Sequence, residues 1–253
     1  MSRLVERIDR RFYPTMRAHW DATLFRQLVD SHLRPRFAVL DLGAGRGAVG
    51  ELDLRRPDLF VAGVDVDSAV LANPLLDEAR LVNPDGSLPY EDQSFDVVLA
   101  HNVLEHLTNP PAVFGEGHRV LRPGGLFLSK TPNRRHYVAT IARWTPHSFH
   151  AWVNRRRGQH AEDTFPTVYR CNTPRTIASL AARAGFEVDS ISLVEGRPEY
   201  LRGTAPSYVA GLVYERIMNS TPRLARFRAV MLTVLRKPLN DVDHSDPRSR
   251  DRE

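Results

Sequence analysis

The stretch "VLDLGAGRGAVG", residues 39–50, decides the fold class. Its glycines satisfy the pattern G-x-G-x-x-G/A directly after an apolar run, which predicts a strand, a tight turn around a nucleotide-like ligand, and then a helix. Asp41 stands two residues before Gly43. Two like charges about 4 Å apart cost on the order of 4 kcal/mol at an intermediate dielectric, so this carboxylate disfavours a pyrophosphate and favours a cationic ligand.

Short apolar runs alternate with helix-like stretches from about Ala38 onward. The runs "FAVLDLG", "FVAGVDVD", "SFDVVLAHNV" and "GGLFLSKTP" are apolar on both faces, which is typical of parallel strands covered by helices on both sides. Thr173 and Pro174 then begin a helix that ends at Gly185, and a strand, a helix and a last strand follow. Ligands of such sheets gather at the carboxyl ends of the strands.

These patterns divide the chain into three parts. Residues 1–37 are predicted to be an N-terminal helical segment, residues 38–240 the α/β domain, and residues 241–253 a disordered tail. Within the domain, residues 134–172 and 203–223 are predicted insertions, of which the second is helical and precedes the last strand.

The composition narrows the function classes. The chain has 42% apolar and 26% charged residues, as expected for a globular protein, and its single cysteine excludes an internal disulfide and a paired Cys/His zinc site. No segment approaches the roughly 20 apolar residues that span a bilayer, and the charged N-terminus does not resemble a signal peptide. We therefore expect no metal and a cytoplasmic location.

Two aspartates suit one ligand. Asp65 follows the second strand, 22 residues after Gly43, which is the place of an acceptor for ribose hydroxyls. S-adenosylmethionine carries an ammonium, a sulfonium and a ribose but no phosphate. It therefore matches both Asp41 and Asp65.

Between Val39 and Gly125 the chain resembles class I S-adenosylmethionine-dependent methyltransferases. The similar motifs are "LDLGAGRG", "VAGVDVD", "PDGSLPYEDQSFDVVLAHNVLEHL" and "VLRPGG". The resemblance implies a Rossmann-like, mostly parallel seven-stranded sheet flanked by helices. The order of "VLEH", "TPN" and a long insertion is most similar to small-molecule O-methyltransferases, including those of quinone biosynthesis and of bacterial glycan or secondary metabolism.

The resemblance also implies which residues bind the cofactor. They are Asp41, Gly43, Ala44, Gly45, Gly47, Asp65, Val66, Asp85 and Gly86. Asp67 is instead expected to cap the following helix.

Methylation of a hydroxyl requires a group that removes its proton, and histidine is the natural base near neutral pH. His101 and His106 follow the fourth strand, whose end opens on the predicted crevice, so they are the favoured catalytic residues. Two structural roles compete with this one. His101 would line the methionine part of the cofactor, and His106 would brace Glu105.

The first insertion is basic and aromatic, and between residues 134 and 160 it has no acidic residue. Its arginines are Arg134, Arg135, Arg143, Arg155, Arg156 and Arg157, and its aromatic residues include Tyr137, Trp144, Phe149 and Trp152. Such a segment is expected to be a lid over the acceptor. Its arginines would steer an acidic acceptor or contact an anionic membrane. Nucleic acid is disfavoured because no base-stacking platform is visible.

Two functions therefore compete. The favoured one is an enzyme that methylates an oxygen of a small, lipophilic or glycan-type molecule. The alternative is a non-catalytic module on the same fold that binds the cofactor, or a regulator that senses it.

Overall fold

The computed structural model describes residues 3–16, 20–144 and 166–239, and the strands in this part of the chain form one sheet. The strands are β1 (Ala38–Leu42), β2 (Phe60–Asp65), β3 (Glu78–Leu81), β4 (Phe95–His101), β5 (Leu121–Pro132), β6 (Glu187–Val194) and β7 (Val230–Arg236). Their order is β3-β2-β1-β4-β5-β7-β6. Neighbouring strands are parallel from β3 to β5, and β7 runs antiparallel to both β5 and β6. The predicted seven-stranded, mostly parallel sheet is confirmed.

Helices cover both faces of the sheet. They are α1 (Arg3–Phe12), α2 (Trp20–His32), α3 (Pro110–Val120), α4 (Tyr137–Trp144), α5 (Pro174–Arg183) and α6 (Ala205–Ser220). On one face Leu40 packs in a cluster with Phe114 of α3 and Ile177 of α5. On the other, Val39 packs with Phe25 of α2. The apolar residues on both sides of the central strands are buried for this reason.

The helix predicted directly after the glycine-rich loop is not formed. The chain between β1 and β2 contains only a short 3₁₀ helix, Gly50–Leu52, and the chain between β2 and β3 contains another, Ser68–Ala72. Arg26 of α2 donates hydrogen bonds to the carbonyl oxygens of Glu51 and Asp53, which a continuing helix would use internally. The connection is therefore held by α2.

Later elements follow the sequence closely. Thr173 caps α5 by accepting a hydrogen bond from the backbone N–H of Thr176, and Gly185 has a φ of 89°, as the end of a helix requires. Helix α6 lies inside the predicted insertion 203–223. Residues 145–165 and the predicted tail, 241–253, lie outside the described residues. Among the described helices, none is long and apolar enough to cross a membrane.

Candidate active site at the carboxyl edge of the sheet

The strand order reverses between β1 and β4. From β1 the chain passes outward to β2 and β3, and it then returns to β4 on the other side of β1. The connections that follow Leu42 and His101 therefore leave the sheet on either side of this reversal, where such sheets form a crevice. In sheets of this kind the crevice is the usual ligand site.

The glycine-rich loop needs glycine at each of its three positions. Gly43, Gly45 and Gly47 have φ angles of 73°, 51° and 76°, in the left-handed region that other residues avoid. A Cβ at Gly43 would overlap the side chain of Val103. The space beside Gly45 is open, because a Cβ there would meet no atom within 4 Å. The loop therefore brings its backbone close to a ligand without side chains in the way.

Asn73 clamps this loop, and sequence reasoning missed it. Its side-chain amide donates hydrogen bonds of 3.1 Å to the carbonyl oxygens of both Ala44 and Gly45, and its side-chain oxygen accepts one from the N–H of Leu75. A Cβ at Gly47 would overlap that oxygen. One buried side chain thus fixes the loop from behind.

Asp65 ends β2 and also contacts the loop. Its carboxylate accepts hydrogen bonds from the backbone N–H groups of Gly45, at 2.9 Å, and Asp67, at 3.0 Å. Asp67 in turn accepts a hydrogen bond from the N–H of Ala69 and caps the 3₁₀ helix, so its predicted capping role is confirmed. Each Asp65 oxygen keeps a second lone pair for a further donor.

Asp41 is a partly buried carboxylate that accepts no hydrogen bond from any residue in the described ranges. Burial, with a smaller contribution from the negative charge of Asp65, raises the pKa of Asp41 to about 7. A buried carboxylate without a donor is costly. It is therefore suited to a cation from outside the chain.

The other predicted cofactor residues lie near the same edge. Asp85 and Gly86 form a tight turn after β3, in which Asp85 accepts hydrogen bonds from the hydroxyl and N–H of Ser87. These hydrogen bonds lower the pKa of Asp85. Gly86 has a φ of 86°. Val66, directly after Asp65, is 71% exposed, which suits an apolar contact with a bound ring.

His101 belongs to a polar cluster that spans two strands and α2. The ammonium nitrogen of Lys130, its partner on β5, lies 3.4 Å from Nε2 of His101 and forms an ion pair with Asp21 of α2. Burial alone would raise the pKa of Asp21, but the Lys130 ammonium outweighs it and lowers that pKa. Phe25 stacks on the imidazole at 5.6 Å.

Sequence reasoning missed Lys130 and Asp21. A signal for Lys130 was present, because it is a charge in a run that otherwise reads as a strand buried on both faces. Lys130 is itself buried, so its ammonium depends on the nearby Asp21 carboxylate as its counter-ion.

His106 and Glu105 each have hydrogen-bond partners elsewhere. Nδ1 of His106 lies 3.0 Å from the carbonyl oxygen of Pro166, whereas Glu105 is buried and accepts a hydrogen bond from the Thr131 hydroxyl. Burial raises the pKa of Glu105. His106 therefore holds the chain at the end of the first insertion, and His101 is the histidine at the mouth of the crevice.

Only the two ends of the first insertion are described. His136 is buried beside Glu195, with Nε2 3.5 Å from a carboxyl oxygen. Burial lowers the pKa of His136 to about 4 and raises that of Glu195 to about 8. Phe149, Trp152 and Arg155–Arg157 lie outside the described residues, so the lid stays a prediction.

Comparison with known proteins finds a family that matches part of this chain. Residues 40–129, from the first strand through most of β5, match the methyltransferase domain family. This part of the chain is similar to that family. It contains the glycine-rich loop, Asn73, Asp65 and His101 together.

Curated proteins similar to this chain are named as methyltransferases. A probable S-adenosylmethionine-dependent methyltransferase of Mycolicibacterium smegmatis is 41% identical over 101 residues, 38% of this chain and 38% of the relative. A ubiquinone biosynthesis O-methyltransferase of Paramagnetospirillum magneticum is 31% identical over 155 residues, 54% of this chain and 60% of the relative. The chain spans roughly 40 to 60% of the length of such relatives.

Solved structures confirm the fold of this chain. The [4+2]-cyclase SpnF superimposes with a TM-score of 0.58 and 21% identity, covering 89% of this chain and 84% of the cyclase. A putative sarcosine dimethylglycine methyltransferase from Galdieria sulphuraria gives 0.52 and 18%, covering 86% and 84%. Since one of these proteins is named a cyclase, the fold alone does not determine the reaction.

Proposed function

We propose that the chain transfers the methyl group of S-adenosylmethionine to a hydroxyl oxygen of a small, lipophilic or glycan-type acceptor. The observation that carries the proposal is the carboxylate of Asp41, which has no hydrogen-bond donor among the described residues and lies beside a glycine-rich loop at the strand-order reversal. A cation at this place would relieve the cost of burying Asp41 without a partner.

The residues present fit S-adenosylmethionine. The open space beside Gly45 admits the ligand, Asp41 would hold its ammonium, and Asp65 would accept its ribose hydroxyls. Val66, Asp85 and Gly86 would line the adenine. When bound, the cofactor supplies a methyl group on a positively charged sulfur.

The chain's own residues would then remove the proton of the acceptor hydroxyl. The acceptor oxygen would take up the methyl group that the cofactor supplies, and its hydroxyl proton would pass to Nε2 of His101. Before it accepts the proton, Nε2 must give up its contact with the Lys130 ammonium. The two nitrogens are 3.4 Å apart, which is longer than a common hydrogen bond, and Lys130 keeps its ion pair with Asp21. Loss of the His101–Lys130 contact therefore costs little free energy.

Support for an oxygen acceptor comes from the relatives. Several are named ubiquinone biosynthesis O-methyltransferases. The first insertion, residues 134–172, would cover the acceptor as a lid.

Calorimetric titration with S-adenosylmethionine, followed by a search for S-adenosylhomocysteine formation with candidate phenols, quinols and glycans, tests the proposal. We expect binding and turnover with a hydroxyl acceptor. Turnover confined to amine or carbon acceptors would contradict oxygen transfer. Binding without turnover in a full metabolite extract would favour the non-catalytic module.

Asp65→Ala is expected to weaken S-adenosylmethionine binding by about 1.5–3 kcal/mol, the range for a hydrogen bond to a charged group. The variant loses the ribose acceptor and the tie to Gly45. Titration calorimetry measures the change. The matched control is Asp67→Ala, which removes only the cap on Ala69 and should bind nearly as the parent does. Unchanged affinity in a folded Asp65→Ala protein would refute the assignment.

Asn73→Ala is expected to reduce S-adenosylmethionine affinity by about tenfold, or about 1.4 kcal/mol. It leaves the carbonyl oxygens of Ala44 and Gly45 without their donor, so the loop is no longer held in its binding shape. Asn73→Asp keeps the acceptor for Leu75 but not the two donated bonds, and it should be equally weak. Parent-like affinity in both variants would show that the loop needs no clamp.

A further inference from the structure

One face of α6 is apolar and exposed. Val209, Val213 and Ile217 are spaced four residues apart, so they lie in one line along the helix, and they are 48%, 51% and 48% exposed. Single exposed apolar residues are ordinary on a protein surface. Three in line on one helix form a continuous ridge.

The ridge is not the side of α6 that holds the helix on the protein. Tyr208 and Leu212 on the opposite side pack in a cluster with Val5 of α1, and Gly211 lies against Pro198. Glu215 also faces inward, where it accepts hydrogen bonds from Tyr13 and Asn219. The helix therefore has a complete buried face, and the ridge is additional apolar surface.

Arginines border the ridge on both sides. Helix α1 packs beside Tyr208 and Leu212 and exposes Arg3, Arg7, Arg10 and Arg11, for which the described residues provide no ion-pair partner. On the other side, the 3₁₀ helix Pro222–Phe227 follows α6 and exposes Arg223 and Arg226. Arg216 is exposed beside the ridge, where it lies over the Tyr13 ring and forms an ion pair with Glu215.

Acidic groups are scarce here. Asp9 of α1 is paired with Arg202, and Glu215 is buried. Glu6 is the carboxylate of α1 that remains exposed. The α1–α6 surface, defined as the ridge and these bordering arginines, is therefore strongly positive around an apolar centre.

The topology places this surface at the same edge of the sheet as the crevice. Strand β6 runs parallel to β5, so the segment after Val194 begins at the carboxyl edge. It returns to that edge at Val230, which pairs with both Pro132 and Val194. Helix α6 therefore belongs to a connection that starts and ends beside the carboxyl ends of the parallel strands.

We propose that the α1–α6 surface docks on an anionic lipid bilayer. The valine and isoleucine side chains enter the interface between headgroups and acyl chains, and the bordering arginines contact lipid phosphates. A second copy of the chain is a poorer occupant, because two such surfaces face to face would bring their arginines together. The proposal is independent of the methyl acceptor and does not use the first insertion.

Flotation with vesicles tests the proposal. The full chain is mixed either with phosphatidylcholine vesicles or with vesicles of about seven parts phosphatidylcholine and three parts phosphatidylglycerol. We expect flotation with the anionic vesicles in about 0.02 M salt, and its loss in about 0.5 M salt, where screening is strong. No flotation with anionic vesicles at low salt would overturn the proposal.

Substitutions test whether the α1–α6 surface is the one that binds the vesicles. Val213→Asp with Ile217→Asp should abolish flotation, whereas Val188→Asp, the same change at an exposed position of β6, should not. Arg7→Gln with Arg10→Gln should weaken binding about 25-fold, at about fivefold per arginine. Circular dichroism and S-adenosylmethionine titration check that each variant is folded.

Two results would contradict the assignment. If the Val213→Asp, Ile217→Asp protein floats as the parent does, the bilayer contacts another surface. If light scattering finds that the parent is a dimer and that the same variant is a monomer, the ridge is a contact between copies of the chain.

Discussion

Replacing His101 with alanine is expected to lower kcat by about 10²- to 10⁴-fold, the usual contribution of a general base. S-adenosylmethionine affinity should change little, because His101 is assigned to the acceptor side of the crevice. The loss should be partly offset at high pH, where more of the acceptor hydroxyl is ionised. Initial rates of S-adenosylhomocysteine formation across a pH series, with the acceptor identified by screening, measure both effects.

His106→Ala is the matched control. It removes a histidine five residues further along the chain, whose imidazole holds the carbonyl of Pro166. We expect a modest change in acceptor KM and little change in kcat. If His101→Ala keeps near-normal kcat, the proton leaves by another route, and simple positioning of the acceptor becomes the better account.

Asp41→Asn is expected to weaken S-adenosylmethionine binding by roughly 10- to 150-fold, equivalent to about 1.5–3 kcal/mol for a charged hydrogen bond. Because the pKa of Asp41 is raised to about 7, the carboxylate is mostly neutral at pH 6 and charged above neutrality. The parent's affinity should therefore increase between about pH 6 and 7.5. Calorimetry at several pH values should show this rise in the parent and a flatter profile in Asp41→Asn.

The same substitution should stabilise the ligand-free protein. An aspartate whose folded-state pKa is raised binds more protons folded than unfolded between about pH 4 and 7, so this residue's contribution to stability falls as pH rises through that window. At pH 8 the cost approaches 4 kcal/mol, about 1.4 for each pH unit of the shift. Thermal denaturation at pH 8 should show a higher Tm for Asp41→Asn. A lower Tm would mean that the carboxylate has a partner in the folded protein.

Much of the site could be predicted because it follows from local sequence. Gly43, Gly45 and Gly47 require positive φ wherever the loop occurs, and Asp65 follows an apolar strand whose end must reach the crevice. Asp41 could be recognised as a candidate binding residue because an unpaired charge within a buried strand is costly.

The remainder depends on contacts between distant segments. Asn73 reaches the loop from beyond β2, and Asp21 reaches Lys130 from a helix that precedes the sheet. The spacing of these residues in the sequence does not predict these contacts, because the contacts depend on how the segments pack against the sheet. The missing helix after the loop has the same cause, since Arg26 of α2 takes the carbonyl oxygens that a helix would use.

The position of β7 determines when the sheet can be completed during synthesis. Strand β6 pairs only with β7 among the described strands, and β7 also pairs with β5, so the last strand of the chain joins the two. Until residues 230–236 leave the ribosome, β5 has an open edge and β6 has no neighbour. A nascent chain stalled before Val230 therefore exposes the unpaired backbone groups of β5, which are a template for aggregation. Completion of this sheet therefore requires long-range pairing of β7 with β5, whose residues lie about 100 positions earlier in the chain.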